Sequence, residues 1–270
     1  MTAAQRRWRL DLAYDGRDFH GFAAQPDTRT VAGSLADALA RTLRLPEPPA
    51  LTCAGRTDAG VHALGQVVHV DLPDPLFRDD RGDEGARLVR ALNRQLAPVI
   101  VLTRCAIAPE GFDARHSATA RAYRYLLHAA DAPSPLLDGV AWRVEEPLDL
   151  RAMTQAAYSL LGEHDFRAFC RRPDGQGADE PITRQVLDVA VTEVHDDLSV
   201  IAEGRLVRID VAANAFCHQM VRSLVAVLVG VGHGGLTGAD VVTYLHSGSR
   251  EGLPSPAPPE GLCLVSVAYG

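Results

Sequence analysis

The chain contains no lysine, so arginine supplies all 27 of its basic side chains. Cysteine is also scarce, with five residues scattered along 270 positions and no Cys-x-x-Cys pair. An odd number of cysteines without paired spacing argues against a disulfide framework and against a zinc site, so we expect reduced thiols and no metal. The five residues are Cys53, Cys105, Cys170, Cys217 and Cys263.

Long hydrophobic runs and common nucleotide or hydrolase motifs are missing as well. The longest apolar run, Leu224 to Val231, is too short to cross a bilayer, and no apolar core of a secretory signal follows the first arginines. The stretch Gly55–Gly60 lacks the Lys-Ser/Thr of a phosphate-binding loop, and no Gly-x-Ser-x-Gly occurs. These absences argue against membrane proteins, nucleoside triphosphatases and serine hydrolases, and they favour a cytoplasmic enzyme without membrane contact.

The charge pattern bears on a polyanionic partner in two opposite ways. A net charge of −7 gives an average field that repels phosphate, which is typical of a metabolic enzyme. Two arginine clusters are compatible either with a solvated surface or with a phosphate-facing patch, because guanidinium donors match phosphate oxygens. The clusters consist of Arg115, Arg121 and Arg124, and of Arg167, Arg171 and Arg172.

Hydrophobic periodicity predicts an α+β protein with two similar halves. The first half reads as strand 8–14, helix 31–43 entered at Thr30, strands 51–53 and 68–72, helix 88–96 and a strand from 99. The second half reads as strand 120–128, helix 150–161 ended by Gly162, strands near 186–194, 198–203 and 205–212, helices 217–230 and 239–246, and strand 262–269. Because several strands follow one another without helical crossovers, we expect largely antiparallel or mixed sheets. A Pro-Glu-Gly break at 109–111 predicts two subdomains, residues 1–108 and 109–270.

The most informative segment is residues 54–63, Ala-Gly-Arg-Thr-Asp-Ala-Gly-Val-His-Ala. It places the carboxylate of Asp58 on a tight, glycine-flanked loop, two residues after Arg56. A generic Thr-Asp-Ala-Gly is more often a simple turn in which the aspartate binds its own backbone. The whole decapeptide, however, closely resembles the catalytic loop of the tRNA pseudouridine synthase A family.

Further segments resemble the same family, in the family's order, from about residue 8 to the C-terminus. They are residues 10–16 and 19–22, 65–69, 112–118 and 121–125, 213–222, and 260–265. Two segments depart from the family's pattern: the turn Gly21–Gln25 and the long polar loop 171–183. The resemblance implies a pseudouridine synthase fold, with two ferredoxin-like (RRM-like) subdomains whose sheets join across a central catalytic cleft.

The resemblance also implies the reaction and its nucleophile. Isomerising uridine to pseudouridine breaks the bond from C1′ to N1 and rejoins C1′ to C5 without changing the atom count, so no cofactor is required. The family's nucleophilic aspartate falls on Asp58, which either attacks C1′ or takes the 2′ proton so that a glycal forms. Both routes stay open.

Arg222 is the candidate partner of Asp58. It lies in the apolar stretch 220–229, which predicts a buried helix, and a buried arginine needs a carboxylate beside it. Asp210 and Asp58 are both open as partners on these grounds. The resemblance favours Asp58, whose carboxylate a nearby cation would keep ionised.

Other site residues follow from the resemblance. Tyr123 shares a strand face with Arg121, Tyr125 and Leu127, which is usually a core position, yet by resemblance it stacks on the uracil and helps remove the C5 proton. Leu262 packs on the other side of the base. Arg56 fills the space of the flipped-out nucleotide. The arginines expected to contact RNA are Arg115, Arg121, Arg124, Arg171 and Arg172.

The sequence therefore predicts a tRNA pseudouridine synthase for uridines 38, 39 and 40 of the anticodon stem-loop. Alternatives are the same chemistry at another tRNA position, a non-catalytic RNA-binding protein, and a nucleoside hydrolase that uses Asp58. Because a tRNA is long relative to a 29.0 kDa acidic chain, we expect a homodimer that holds both the anticodon stem-loop and the elbow.

Overall fold

The computed structural model describes residues 4–77, 82–171, 180–195 and 203–270. These residues form five α-helices and ten β-strands. They divide into two compact units, one that runs up to Thr119 and includes Leu264–Gly270, and one that spans Ala120–Cys263. The mixed α/β class is confirmed, while the division at 109–111 and the ferredoxin-like character of the halves stay predictions.

The first unit is a sheet with two helices. Its strands lie in the order β4-β1-β3-β10, with β2 on β3, and β1 pairs antiparallel with both β3 and β4. The elements are β1 (Gln5–Tyr14), α1 (Val31–Leu43), β2 (Thr52–Cys53), β3 (His62–Pro73), α2 (Glu84–Leu96), β4 (Ile100–Ile107) and β10 (Leu262–Tyr269), the last of which enters this unit at Leu264.

Local sequence explains how this unit begins. Every second side chain of β1 from Trp8 to Tyr14 is at most 4% exposed, which confirms the predicted buried face. The Thr30 hydroxyl accepts from the Gly33 N–H at 3.2 Å and so caps α1 where the sequence predicts. Leu35 and Leu39 then face the core.

The second unit contains the remaining strands in the order β5-β9-β8-β7, with β6 parallel to β5 and the other pairs antiparallel. Its elements are β5 (Ala118–Ala129, in this unit from Ala120), β6 (Trp142–Val144), α3 (Leu150–Tyr158), β7 (Gly162–Asp165), a 3-10 turn (Arg167–Phe169), β8 (Thr183–Val194), β9 (Arg205–Ala213), α4 (Met220–Gly232) and α5 (Gly238–Ser247). The largely antiparallel arrangement is confirmed.

Two short strands of this unit were not predicted, and one predicted strand lies largely outside the described residues. β6 and β7 have three and four residues, which is too short for alternation to show. The helix predicted to continue to 161 ends at Tyr158, and Gly162, with a φ of +96°, opens β7 instead. The strand predicted near 198–203 falls mostly on residues 196–202, which the structure does not describe.

Helix α4 is buried on nearly every side, as its composition predicts. Among its thirteen residues only Arg222 and Gly230 are not fully buried. Within the described ranges, no helix is long and apolar enough to cross a membrane.

The expectation of reduced thiols is wrong for two cysteines. Cys170, after the 3-10 turn, and Cys217, before α4, form a disulfide with their Cα atoms 5.7 Å apart. Their separation of 47 residues hides this proximity from any spacing rule. Cys53 and Cys105 are buried thiols, and burial raises their pKa values to about 11 and about 12.

Candidate active site

The Asp58 loop joins β2 to β3 in the first unit. The segment around Phe19 and Phe22 fixes it from one side, since the Phe22 N–H donates to the Thr57 carbonyl at 3.0 Å and the Gly60 N–H donates to the Phe19 carbonyl at 3.3 Å. Within the loop the Val61 N–H donates to the Asp58 carbonyl at 3.2 Å. The Asp58 side chain is half-buried, and Arg56 is exposed.

A close approach of two backbones depends on Gly21. Its φ is +93°, and a Cβ atom at this position would lie 3.0 Å from the Thr57 carbonyl oxygen. The turn Gly21–Gln25, which departs from the family's pattern, therefore begins with a residue that packs directly on the Asp58 loop. Phe22, the next residue, is 2% exposed and belongs to the core.

A buried polar network lies beneath the loop. The Tyr14 hydroxyl and the Thr57 Oγ1 are 2.7 Å apart, and the Gln66 side-chain amide donates to the Tyr14 hydroxyl at 3.3 Å and to the Gly55 carbonyl at 2.8 Å. Gln66 is fully buried, so its amide depends on these partners. The network binds Gly55 and Thr57, the two residues that flank Arg56. Thr57 also immediately precedes Asp58.

Sequence reasoning missed Tyr14, Thr57 and Gln66 as site residues. A weak signal existed, because Gln66 is a polar residue next to the apolar pair Val67 and Val68 on a strand. The partners themselves lie 43 and 52 positions apart and could not be paired from the sequence.

The electrostatics near the loop involve Asp15, Arg17 and His62. The Arg17 guanidinium contacts the Asp15 carboxylate at 2.6 Å, and this hydrogen bond holds the pKa of that carboxyl below its usual range. The His62 Nδ1 accepts from the Gly16 N–H at 3.2 Å and lies 3.3 Å from the Asp15 Oδ1. The raised pKa of the Cys53 thiol keeps that nearby sulfur protonated at neutral pH.

The segment 112–118 forms a tightly bonded turn in the same unit. The Asp113 Oδ1 accepts from the N–H groups of His116 and Arg115 at 2.8 Å each, and these bonds lower the pKa of Asp113. The Ala114 N–H donates to the His69 Nδ1 on β3 at 2.9 Å. The turn leaves the side chain of Arg115 exposed.

Tyr123 lies on β5 in the second unit. Burial alternates along the strand, with Tyr123, Tyr125 and Leu127 buried on the predicted common face. The Tyr123 ring meets the Phe216 ring edge-on, with centroids 5.1 Å apart. The Tyr125 hydroxyl donates to the Pro258 carbonyl at 2.7 Å.

Leu262 opens β10 and is 6% exposed. Its N–H donates to the Pro259 carbonyl at 2.9 Å. A Cβ on the preceding Gly261 would lie 2.5 Å from the Tyr125 ring, so only glycine permits this approach to β5.

Arg222 lies in the first turn of α4 and forms two hydrogen bonds with Ala257. Its Nε donates to the Ala257 carbonyl at 2.6 Å, and the Ala257 N–H donates to the Arg222 carbonyl at 3.0 Å. The alternative partner Asp210 is engaged elsewhere, because it contacts Arg124 at 2.8 Å and Arg208 at 2.7 Å. The pairing of Arg222 with Asp58 stays a prediction.

The predicted RNA-contacting arginines differ in their surroundings. Arg124 forms an ion pair with Asp210, and the Arg121 guanidinium donates to the Asn214 carbonyl at 2.8 Å. Arg115 and Arg171 are exposed. Arg172 lies outside the described residues.

The candidate residues are thus divided between the units. Arg56 and Asp58 belong to the first, and Tyr123, Arg222 and Leu262 belong to the second. In the part of the chain that the structure describes, no group of three histidine, cysteine, aspartate or glutamate side chains could hold a metal ion.

Comparisons with known proteins find relatives that match this chain over its whole length. The family model for tRNA pseudouridine synthase matches residues 156–270. A tRNA pseudouridine synthase A of Frankia casuarinae is 46% identical, and the match covers 100% of this chain and 91% of the relative. The protein of that name from Leifsonia xyli is 43% identical, and the match covers 100% of this chain and 93% of the relative. The one from Rhodopseudomonas palustris is 41% identical, and the match covers 97% of this chain and 98% of the relative.

These relatives show that the chain is a pseudouridine synthase, an isomerase. The chain belongs to the tRNA pseudouridine synthase A family. A solved Cas6 complex with a substrate mimic is 17% identical and covers 78% of this chain and 82% of the Cas6 chain, at a TM-score of 0.18, which is too low to bear on fold or function.

Proposed function

We propose that this enzyme isomerises uridine to pseudouridine at positions 38, 39 and 40 of the tRNA anticodon stem-loop. The observation that carries the proposal is the Asp58 loop, in which a half-buried carboxylate lies on a backbone fixed from two sides. Membership of the tRNA pseudouridine synthase A family supports tRNA as the substrate. The three positions come from the resemblance.

The reaction conserves every atom of the substrate. The bond from C1′ to N1 breaks, the uracil turns, C1′ joins C5, and the C5 proton leaves while N1 gains one. Asp58 either forms an ester with C1′ or takes the 2′ proton, and it is released unchanged in both routes. No electron acceptor or energy source is required by this balance.

Four further residues act around Asp58 in this proposal. Arg222 keeps the carboxylate ionised and oriented. Tyr123 stacks on the uracil and takes part in removing the C5 proton, and Leu262 covers the other face of the base. Arg56, exposed two residues before Asp58, occupies the space of the flipped nucleotide.

The decisive experiment maps pseudouridine in tRNA from a strain that lacks this gene. We expect loss at positions 38, 39 and 40, with recovery when the wild-type gene is supplied and none with Asp58→Asn. Loss at another tRNA position would establish the same chemistry with a different target. Release of free uracil from tRNA would instead indicate a nucleoside hydrolase, and unchanged tRNA would contradict the proposed function.

The buried network predicts that Thr57→Val lowers turnover about tenfold with little change in KM, because the loop loses its bond to Tyr14 next to Asp58. Stability should fall by about 1 to 3 kcal/mol, since the Tyr14 hydroxyl loses a buried partner. Thr57→Ser keeps the hydroxyl and serves as the matched control, with near wild-type turnover. Equal turnover in the valine and serine variants would show that the network does not position Asp58.

Tyr123→Phe should keep tRNA binding and reduce tritium release from C5-labelled tRNA by about a hundredfold, because stacking survives and the hydroxyl does not. Tyr125→Phe is the matched control on the same strand face. It removes the bond to the Pro258 carbonyl, so it should lower stability by about 1 kcal/mol and leave turnover intact. Wild-type turnover in Tyr123→Phe would reduce Tyr123 to a packing role.

A homodimer completes the proposal, since the arginine clusters of one 29.0 kDa acidic chain are too few to hold both ends of a tRNA. One subunit would modify the uridine while the other contacts the elbow through phosphates. Light scattering at micromolar concentration should give twice the monomer mass, and tRNA affinity should fall steeply with salt. A monomer that modifies tRNA at the full rate would contradict the dimer.

A further inference from the structure

Helix α2 carries three arginines on one face. Arg87, Arg90 and Arg94 are spaced by three and four residues, which places them on one side of the helix, and we call this set the α2 arginine face. The two acidic residues at the start of the helix are engaged by backbone N–H groups. Asp83 accepts from Ala86, and Glu84 accepts from Phe77, at 3.2 and 3.1 Å.

Several arginines of the described residues pair with acidic side chains, whereas Arg90 and Arg94 of this face are exposed. Ion pairs in the described ranges involve Arg6, Arg7, Arg9, Arg17, Arg124, Arg167, Arg205 and Arg208. Arg90 and Arg94 are exposed, and neither forms an ion pair with the described residues. They are two exposed positive charges on a chain whose net charge is −7.

The face is concave and partly preorganised. Arg87, Arg90 and Arg94 line a cavity of about 270 Å³ together with Phe77 and Ala91. The Arg87 guanidinium lies 4.1 Å from the centre of the Phe77 ring, so stacking restricts its position. A recess lined by forked donors suits tetrahedral phosphate better than it suits a flat protein surface.

We propose that the α2 arginine face binds the phosphodiester backbone of the RNA substrate, away from the reacting nucleotide. Arg90 and Arg94 are one turn apart, about 6 Å along the helix axis, so each can meet a different phosphate oxygen. This inference rests on the proposed tRNA function and adds a contact surface outside the predicted arginine clusters. It explains how an acidic enzyme gains affinity for a polyanion by local concentration of charge.

The test compares the double variant Arg90→Gln, Arg94→Gln with the control Arg104→Gln, Arg151→Gln. The control removes two exposed arginines elsewhere, on β4 and α3, and changes the net charge equally. We expect the test variant to bind tRNA roughly tenfold more weakly and to reduce the slope of log K against log salt by roughly two. Its kcat at saturating tRNA should match that of wild type, because neither residue contacts the reacting base.

Several outcomes would overturn the proposal. A Kd and a salt slope within twofold of the control would show that this face is solvated surface. A second experiment measures the binding of inorganic phosphate by calorimetry. If the wild type binds phosphate with a millimolar Kd, the test variant does not, and both bind tRNA equally well, the recess is a site for free phosphate instead. A wild-type protein that releases no tritium from tRNA would contradict the proposed function itself and is recognised separately.

Discussion

Asp58→Asn is expected to abolish tritium release from C5-labelled tRNA, by at least about a thousandfold, while tRNA binding and the thermal midpoint stay near wild type. Asparagine keeps the shape and the loop's backbone bonds, but it can neither attack C1′ nor accept the 2′ proton. Stopped time courses and filter binding on the same tRNA measure both properties.

The control for this variant is Asp149→Asn. Asp149 caps α3 by accepting from the Ala152 N–H at 3.0 Å, and asparagine is an equally good cap, so turnover should not change. Residual turnover above a few per cent of wild type in Asp58→Asn would rule out Asp58 as the nucleophile or base. Loss of binding together with turnover would place Asp58 in substrate contact only.

Arg222→Met is expected to lower turnover about a hundredfold, because Asp58 would lose the cation that orients its carboxylate. The stability cost should be only about 1 to 2 kcal/mol. Methionine suits the apolar surroundings of α4, and the variant loses the hydrogen bond to the Ala257 carbonyl. Kinetics and denaturant unfolding of the same preparation separate the two effects.

Arg222→Lys provides the matched comparison, since it keeps a cation at this position and should retain more activity than methionine. Equal loss in both variants would show that the guanidinium geometry matters more than the charge. Full activity in Arg222→Met, or an unfolded chain, would contradict the proposed pairing with Asp58.

The sequence predicts those parts of the fold that local patterns control. Thr30 and the buried stripe of α1 follow from capping and periodicity, and the buried face of β1 follows from alternation. The strands β6 and β7 escape prediction, because three or four residues carry no period. The end of α3 at Tyr158 differs from the prediction by three residues, because helix boundaries are the part of an element that local patterns define least.

The site divides in the same way. The family resemblance predicts the Asp58 loop, but its support by Tyr14 and Gln66 depends on strands that become neighbours only after folding. The role of Gly21 is hidden for the same reason, since Gly21 packs against the Thr57 carbonyl, which lies 36 positions away in the sequence. The ion pair of Asp210 on β9 with Arg124 on β5 is hidden from the sequence in the same way.

The disulfide between Cys170 and Cys217 closes a covalent ring within the second unit, and this ring includes β8 and β9. Closing a ring of this size removes chain entropy from the unfolded state, which on a loop-closure model stabilises the native unit by about 4 kcal/mol. That amount is a large share of the 5 to 15 kcal/mol of a typical domain. The durability of this enzyme is therefore coupled to the thiol balance of its surroundings, so that oxidising conditions lengthen the lifetime of the folded chain and reducing ones shorten it.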